Sequence, residues 1–152
     1  MTFAYLNAMY YLIYTSTARS ETDEVELYDI LTTSVKKNEK FNITGLLIYH
    51  EGSFIQMLEG DQENVDDIYD SIKVDNRHHN VIKLISGQSE KRYFPDWSMA
   101  LKVTHKKTFL EIKSYKSIID SSKFLQGIQN DHIGLQLLRF FYEVHMAENN
   151  QI

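Results

Sequence analysis

The sequence predicts an α+β fold of ferredoxin-like type. The expected form is a βαββαββ sheet with two helices on one face and two C-terminal helices covering the other. Three observations carry this. Runs rich in β-branched and aromatic residues recur at Met9 to Ser16, Ile43 to Tyr49, Phe54 to Glu59, Val81 to Gly87 and Trp97 to Val103. Two segments of helical periodicity follow the first and third of these runs. The central runs are apolar at both parities, so both faces of the sheet need cover.

The first run, MYYLIYTS, alternates Tyr10, Leu12 and Tyr14 against Tyr11, Ile13 and Thr15. In the next segment Val25, Leu27, Tyr28, Ile30, Leu31 and Val35 recur at helical spacing. Thr22 or Asp23 serves as the N-cap, with acids in the first turn. The following two runs are joined through His50-Glu51-Gly52-Ser53, a hairpin whose Glu51-Gly52 fits a two-residue turn. Gly60-Asp61 opens a second helix carrying Val65, Ile68, Tyr69 and Ile72. The order β-α-β-β-α-β is that of a split βαβ unit, with the first and third strands side by side in the middle. Beyond the fifth run, Phe109, Ile112, Tyr115 and Ile119 fit one amphipathic helix. Ile133, Leu137, Phe140, Phe141 and Val144 fit another, whose apolar sector Leu138 and Tyr142 widen. That breadth suits docking on the sheet and also self-association, so a homo-oligomer is expected.

Composition narrows the function. The 152 residues suffice for one core and an extension, read as residues 1-103 and 104-152. A formal charge of -5 without a basic run argues against nucleic acid and against an anionic membrane as the partner. No cysteine is present, which removes disulfides, thiol catalysis and thiolate metal sites. The N-terminus lacks the basic start and cleavage site of a signal peptide, and no apolar run is long enough to span a bilayer, so a cytoplasmic domain is expected. The six histidines make no helical metal pair, since His78 and His79 are adjacent and point apart. Nucleophile elbows, phosphate loops and dinucleotide fingerprints are missing, and no metal site or enzyme activity is expected.

One residue resists a bland account. Gln56 stands among apolar neighbours, on the same face as Tyr14 of the adjacent central strand. A buried amide left unpaired costs about 1–3 kcal/mol per group, so Gln56 needs partners.

Five stretches in order, LIYTS, the helix ending at Asn38, NITGLLIYHEGSFIQMLEG, DNRHHNV and RYFPDWSM, resemble the BLUF domain, a blue-light sensor that uses flavin. The likeness runs from about Tyr11 to Val103, and the length resembles that of the short, stand-alone members. It implies an oxidised flavin, FAD by family habit, with FMN and riboflavin left open. Ser71 and Lys37 stand where other members differ in charge. By the same resemblance Tyr14 is the electron donor and Gln56 the switching amide. Met99 and Trp97 compete for the space beside that amide, and Asn38 holds the flavin's polar edge. Ile30 and Ile72 sandwich its ring, while Arg77 and His78 sit near its pyrimidine side and ribityl chain. Light then drives an electron and a proton from Tyr14. Their return leaves Gln56 rearranged and the absorption shifted slightly to the red. The signal passes through the fifth strand and the C-terminal helices to an effector of the response-regulator, cyclic-nucleotide enzyme or transcription-regulator class. The alternative on the residues alone is a flavin-free ferredoxin-like regulatory module, in which Tyr14 and Gln56 satisfy each other. A phosphate-binding hydrolase is disfavoured, because TSTARSETDE has no glycine and several acids.

Overall fold

The computed structural model describes residues 9–19, 24–95, 100–103 and 132–149. The elements are β1 (Met9–Ala18), α1 (Glu24–Lys40), β2 (Thr44–His50), β3 (Ser53–Gly60), α2 (Gln62–Lys73), β4 (His78–Ser89), β5 (Ala100–Val103) and α3 (Ile133–Asn149). They form a mixed sheet in the order β4-β1-β3-β2-β5. The first four strands pair antiparallel, and β5 lies parallel to β2 with Leu46 opposite Ala100. The expectation that β1 and β3 are central neighbours is met.

Alternation along the central strands sorts the core into two. On one face Tyr10, Leu12, Tyr14, Leu47, Phe54 and Leu58 pack with Val35 of α1 and with Val65, Ile68 and Tyr69 of α2. On the other, Tyr11, Ile13, Leu46, Ile48, Ile55 and Met57 pack with Leu135, Leu138 and Tyr142 of α3. Each fully buried Leu or Ile of these layers contributes about 1.5–3 kcal/mol, which is why a sheet apolar at both parities must be covered twice.

Local chemistry sets the corners. The β2–β3 hairpin turns through Glu51 (φ 42°) and Gly52 (φ 88°), the two positive φ values of a type I′ turn. Helix α1 is closed by Asn42, two residues past its last turn, whose φ of 54° is a left-handed cap of the kind Asn tolerates. The next amide, Ile43 N–H, returns to the Asn38 carbonyl at 2.8 Å, so the cap that starts β2 also fixes the end of α1. A register shift between Ile13 and Tyr14 in the β1–β4 ladder leaves Leu84 as an extra residue on β4. Such bulges re-aim the neighbouring side chains.

Three expectations are corrected. Val25 is 68% exposed, so the apolar spacing of α1 overstates its buried stripe. On α3 the buried residues are Leu135, Leu138 and Tyr142, whereas Ile133, Phe140 and Val144 are exposed. The helix is rotated from the expected stripe because Gly134 lets it approach closely: a Cβ there would lie 2.9 Å from Ile13 Cδ1. Strand β4 runs well past Val81 and Gly87 at both ends, through polar residues held by ladder bonds to β1. Of the expected fifth strand, Trp97 to Val103, the described residues Ala100–Val103 are a strand. Trp97, Met99, the N-cap candidates Thr22 and Asp23, and the helix expected over Phe109 to Ile119 all lie outside the described residues.

Candidate functional site

Because α1 and α2 lie on one face of the sheet, a slot opens between them with β1 and β3 as its floor. Two cavities, with about 470 Å³ and 490 Å³ of atom-free space, share Ser34, Gln56, Ile72, Asp75 and Arg77. With five lining residues in common, they form one site.

The floor is a buried polar pair. Tyr14 and Gln56 are directly opposite in the β1–β3 ladder, and the Tyr14 hydroxyl donates to Gln56 Oε1. Both residues are buried, as is Leu47, which faces Gln56 from β2. Burial pushes the Tyr14 pKa well up, and Tyr69 and Asp75 add to this. The phenol therefore keeps its proton, aimed at the amide oxygen. Tyr69 packs tilted against Tyr14 with ring centroids 5.6 Å apart.

The walls are apolar, with Ile30 of α1 and Ile72 of α2 lining the first cavity. Asn38 lines the second cavity and is buried at the end of α1, where the Asn42 cap holds its backbone. At the mouth, Arg77 Nε donates to both carboxylate oxygens of Asp75 at 3.0 Å, and the Arg77 amide donates to Oδ1 at 3.0 Å. The Asp75 pKa is lowered, first by the hydrogen bond from the Arg77 guanidinium. His78 lines the first cavity and joins two elements. Its Nε2 donates to the Ile72 carbonyl at 2.6 Å, and its Nδ1 lies 2.8 Å from Ser16 Oγ. Lys37 Nζ donates to Ser71 Oγ at 2.7 Å, bridging α1 and α2 beside the second cavity.

The structure thus brings together Tyr14, Ile30, Asn38, Gln56, Ile72, Arg77 and His78. Trp97 and Met99 fall outside the described residues. Asp75 opens the DNRHHNV stretch but is not among the candidate site residues, although an acid two residues before an arginine is a readable signal for a local ion pair. Chemically, two aliphatic walls, two buried amides and a phenol suit a planar heteroaromatic ring with a polar edge. An oxidised flavin is such a ring, and the donor set fits it. Among the described residues no cluster of three or more histidines and carboxylates could hold a metal ion. No described helix is long and apolar enough to cross a membrane.

Comparison with known proteins agrees with this geometry. A family model described as "BLUF: Sensors of blue-light using FAD" matches residues 9–100. The blue light- and temperature-regulated antirepressor BluF of Escherichia coli (strain K12) is 31% identical over 90 residues, covering 59% of this chain and 22% of that protein. Photoactivated adenylate cyclase subunit beta of Euglena longa is 32% identical over 89 residues, covering 58% of this chain and 10% of the subunit. The chain therefore spans only a fraction of these curated relatives. Among solved structures, dark-state BlrB, a BLUF protein, superposes with a TM-score of 0.62 at 28% identity, covering 64% of this chain and 74% of that one. Ground-state BlsA gives 0.63 at 25% identity, covering 91% of this chain and 87% of that one. The family model describes the matched domain as a sensor. With a match over most of the sheet and both helices of the slot, the chain belongs to the BLUF family of flavin-dependent blue-light sensors.

Proposed function

We propose that this chain is a blue-light photoreceptor that holds an oxidised flavin in the slot between α1 and α2. The observation that carries the reading is the buried Tyr14–Gln56 hydrogen bond on the slot floor, between the Ile30 and Ile72 walls. Bound there, the flavin supplies blue absorption and, when excited, an electron-accepting ring. Tyr14 is the donor, and its raised pKa keeps the proton on the phenol until an electron leaves. Gln56 Oε1 is the nearest acceptor for that proton. Once the electron and proton have returned to Tyr14, the amide is left turned or tautomerised, with the acceptor and donor it presents to the slot exchanged. Asn38 holds the polar edge of the ring, and Ile30 and Ile72 grip its faces. Arg77 and His78 lie toward the mouth, with Arg77 poised by Asp75. FAD is the cofactor of this reading, with FMN and riboflavin as alternatives, and Lys37 and Arg77 are cations that line the second cavity.

Residues 1-103 form the sensor, of ferredoxin-like βαββαββ arrangement. Residues 104-152 form the helical extension that relays the signal. The strand order β4-β1-β3-β2 and the placement of α3 on the face opposite the slot support this division. Strand β5, which follows Trp97 and Met99 in the sequence, is the route out. The receiver is an effector of the cyclic-nucleotide enzyme, transcription-regulator or response-regulator class. A full switch from one state to the other needs about 5.5 kcal/mol of differential stabilisation. One or two hydrogen bonds give about 0.5–1.5 kcal/mol each, so light alone shifts the population partially. Self-association through α3 belongs to the same reading, supported by exposed Ile133, Phe140 and Val144.

The test is an absorption spectrum of the purified protein in darkness and after blue illumination. A structured flavin band that shifts slightly to the red and relaxes in darkness is expected, and Tyr14→Phe should remove the reversible shift while the flavin stays bound. A band that bleaches, or a protein that takes up no flavin on reconstitution, overturns the reading.

A further inference from the structure

The Tyr14–Gln56 switch makes no use of a buried carboxylate on the same strand. Glu59, three residues beyond Gln56, is 1% exposed and faces the α3 side of the sheet with Ile55 and Met57. Two consecutive backbone amides converge on it: Tyr93 N–H donates to Oε1 at 2.7 Å and Phe94 N–H to Oε2 at 3.0 Å. The Thr44 hydroxyl approaches Oε2 at 3.4 Å. Arg92, next in the chain, donates to Thr44 Oγ1 at 2.9 Å, to the Glu59 carbonyl at 3.1 Å and to the Asn42 carbonyl at 2.8 Å. Three successive residues are thereby bolted to the end of β3 and the start of β2.

We propose that Glu59 is a positioning residue of the photoreceptor, whose carboxylate holds the 92–94 loop and so sets how fast the lit state relaxes. The proposal rests on the reading of the slot given above. Two connections give the loop this influence. In one direction the chain runs from Phe94 to Ala100, and Ala100 is fixed to Leu46 of β2. Phe94 and Ala100, which bracket Trp97 and Met99 in the sequence, are thus each held to the sheet. A shift of β5 therefore works against the firmness of the Glu59 anchor. In the other direction the Tyr93 ring packs on His132 with centroids 4.8 Å apart, and Tyr11 of β1 meets the same imidazole at 4.5 Å. His132 Nδ1 accepts from the Gly134 amide at 3.1 Å, capping α3, and its Nε2 lies 3.1 Å from Ser89 Oγ. Burial lowers the His132 pKa, which favours the neutral ring that this cap requires. One carboxylate on the strand of the switching amide therefore steadies both the approach to β5 and the seat of α3.

A carboxylate suits the position because it offers an acceptor to each of two converging donors. Glu59→Gln keeps the size but turns an NH2 toward one of the two amides. In the flavin-loaded full chain the dark spectrum and the light-induced red shift should be unchanged, because the slot lies on the other face. Dark recovery should quicken by about threefold or more, as expected when a charge-assisted hydrogen bond is lost. The Tyr93 and Phe94 amides should exchange hydrogen faster in the dark state, a readout that needs no photochemistry. Arg92→Met loosens the loop from the opposite side with the carboxylate intact, and serves if Glu59→Gln does not fold. It should also shorten the lifetime. Faster amide exchange with an unaltered recovery rate would make Glu59 merely structural and overturn the proposal. An absent red shift in the unmutated protein would instead bring down the photoreceptor reading itself.

Discussion

Gln56→Leu is expected to abolish the light-induced red shift while leaving the flavin band in place. The argument is one of donors and acceptors. Gln56 is the acceptor for Tyr14 and lines both halves of the slot. A leucine of similar volume fills the same space between Leu47 and Tyr14 but presents neither a carbonyl nor an amide, so nothing remains to rearrange. Stability should fall as well, by about 1–3 kcal/mol, because the buried Tyr14 hydroxyl loses its acceptor. Tyr14→Phe together with Gln56→Leu should recover most of that loss, since removing both partners of a buried hydrogen bond is nearly neutral. Light-minus-dark spectra and urea melts of the two single variants and the double variant check both halves. A normal photocycle in Gln56→Leu would falsify the switch. Equal stability of Gln56→Leu and the double variant would show that Tyr14 finds another acceptor.

The second large effect concerns the output face. Leu138→Ala should lower stability by about 2–5 kcal/mol, the range for deleting a fully buried leucine from a packed layer. Leu138 is 0% exposed and sits with Ile13, Ile55, Met57 and Leu135. Its removal opens a void between α3 and the sheet that two rigid layers cannot close. Phe140→Ala, two residues on but 67% exposed, should change stability by no more than about 0.5 kcal/mol. Urea midpoints and hydrogen exchange of the α3 amides measure the contrast, and the flavin content should be equal in both variants because the slot is across the sheet. A larger loss in Phe140→Ala than in Leu138→Ala would mean that α3 docks by its other face.

Why the pairing of Tyr14 with Gln56 was legible, and the docking face of α3 was not, comes down to periodicity. A strand has two faces, and once β1 and β3 are neighbours, parity alone puts Tyr14 and Gln56 together. A helix has a continuous circumference. The apolar sector of residues 133–144 is broad enough to hold two stripes, one through Ile133, Phe140 and Val144 and one through Leu135, Leu138 and Tyr142. Hydrophobic spacing cannot choose between them. The choice is made by the close approach at Gly134, a tertiary fact. Val25 misled for a related reason, since helical spacing marks where apolar residues lie and not what they meet. Glu59 is an intermediate case. Parity places it beside Ile55 and Met57 on a covered face, so its need for donors is readable. The donors themselves, the Tyr93 and Phe94 amides, are more than thirty residues away and belong to an irregular segment with no periodic signal.

The alternation of β3 has one more consequence. Gln56 faces the slot and Met57 faces α3, with Cα atoms separated by a single peptide unit, about 3.8 Å. Sensing and reply are therefore not remote regions joined by a path but the two sides of one thin partition. Whatever bends that partition at Gln56 and Met57 is felt on both sides at once, so a mutation at either position cannot retune colour without touching output. Independent variation is left to the layers that clad it: Ile30 and Ile72 on one side, Leu135 and Leu138 on the other. A lineage adapting this sensor to a new partner would then change its helices first and its strands last.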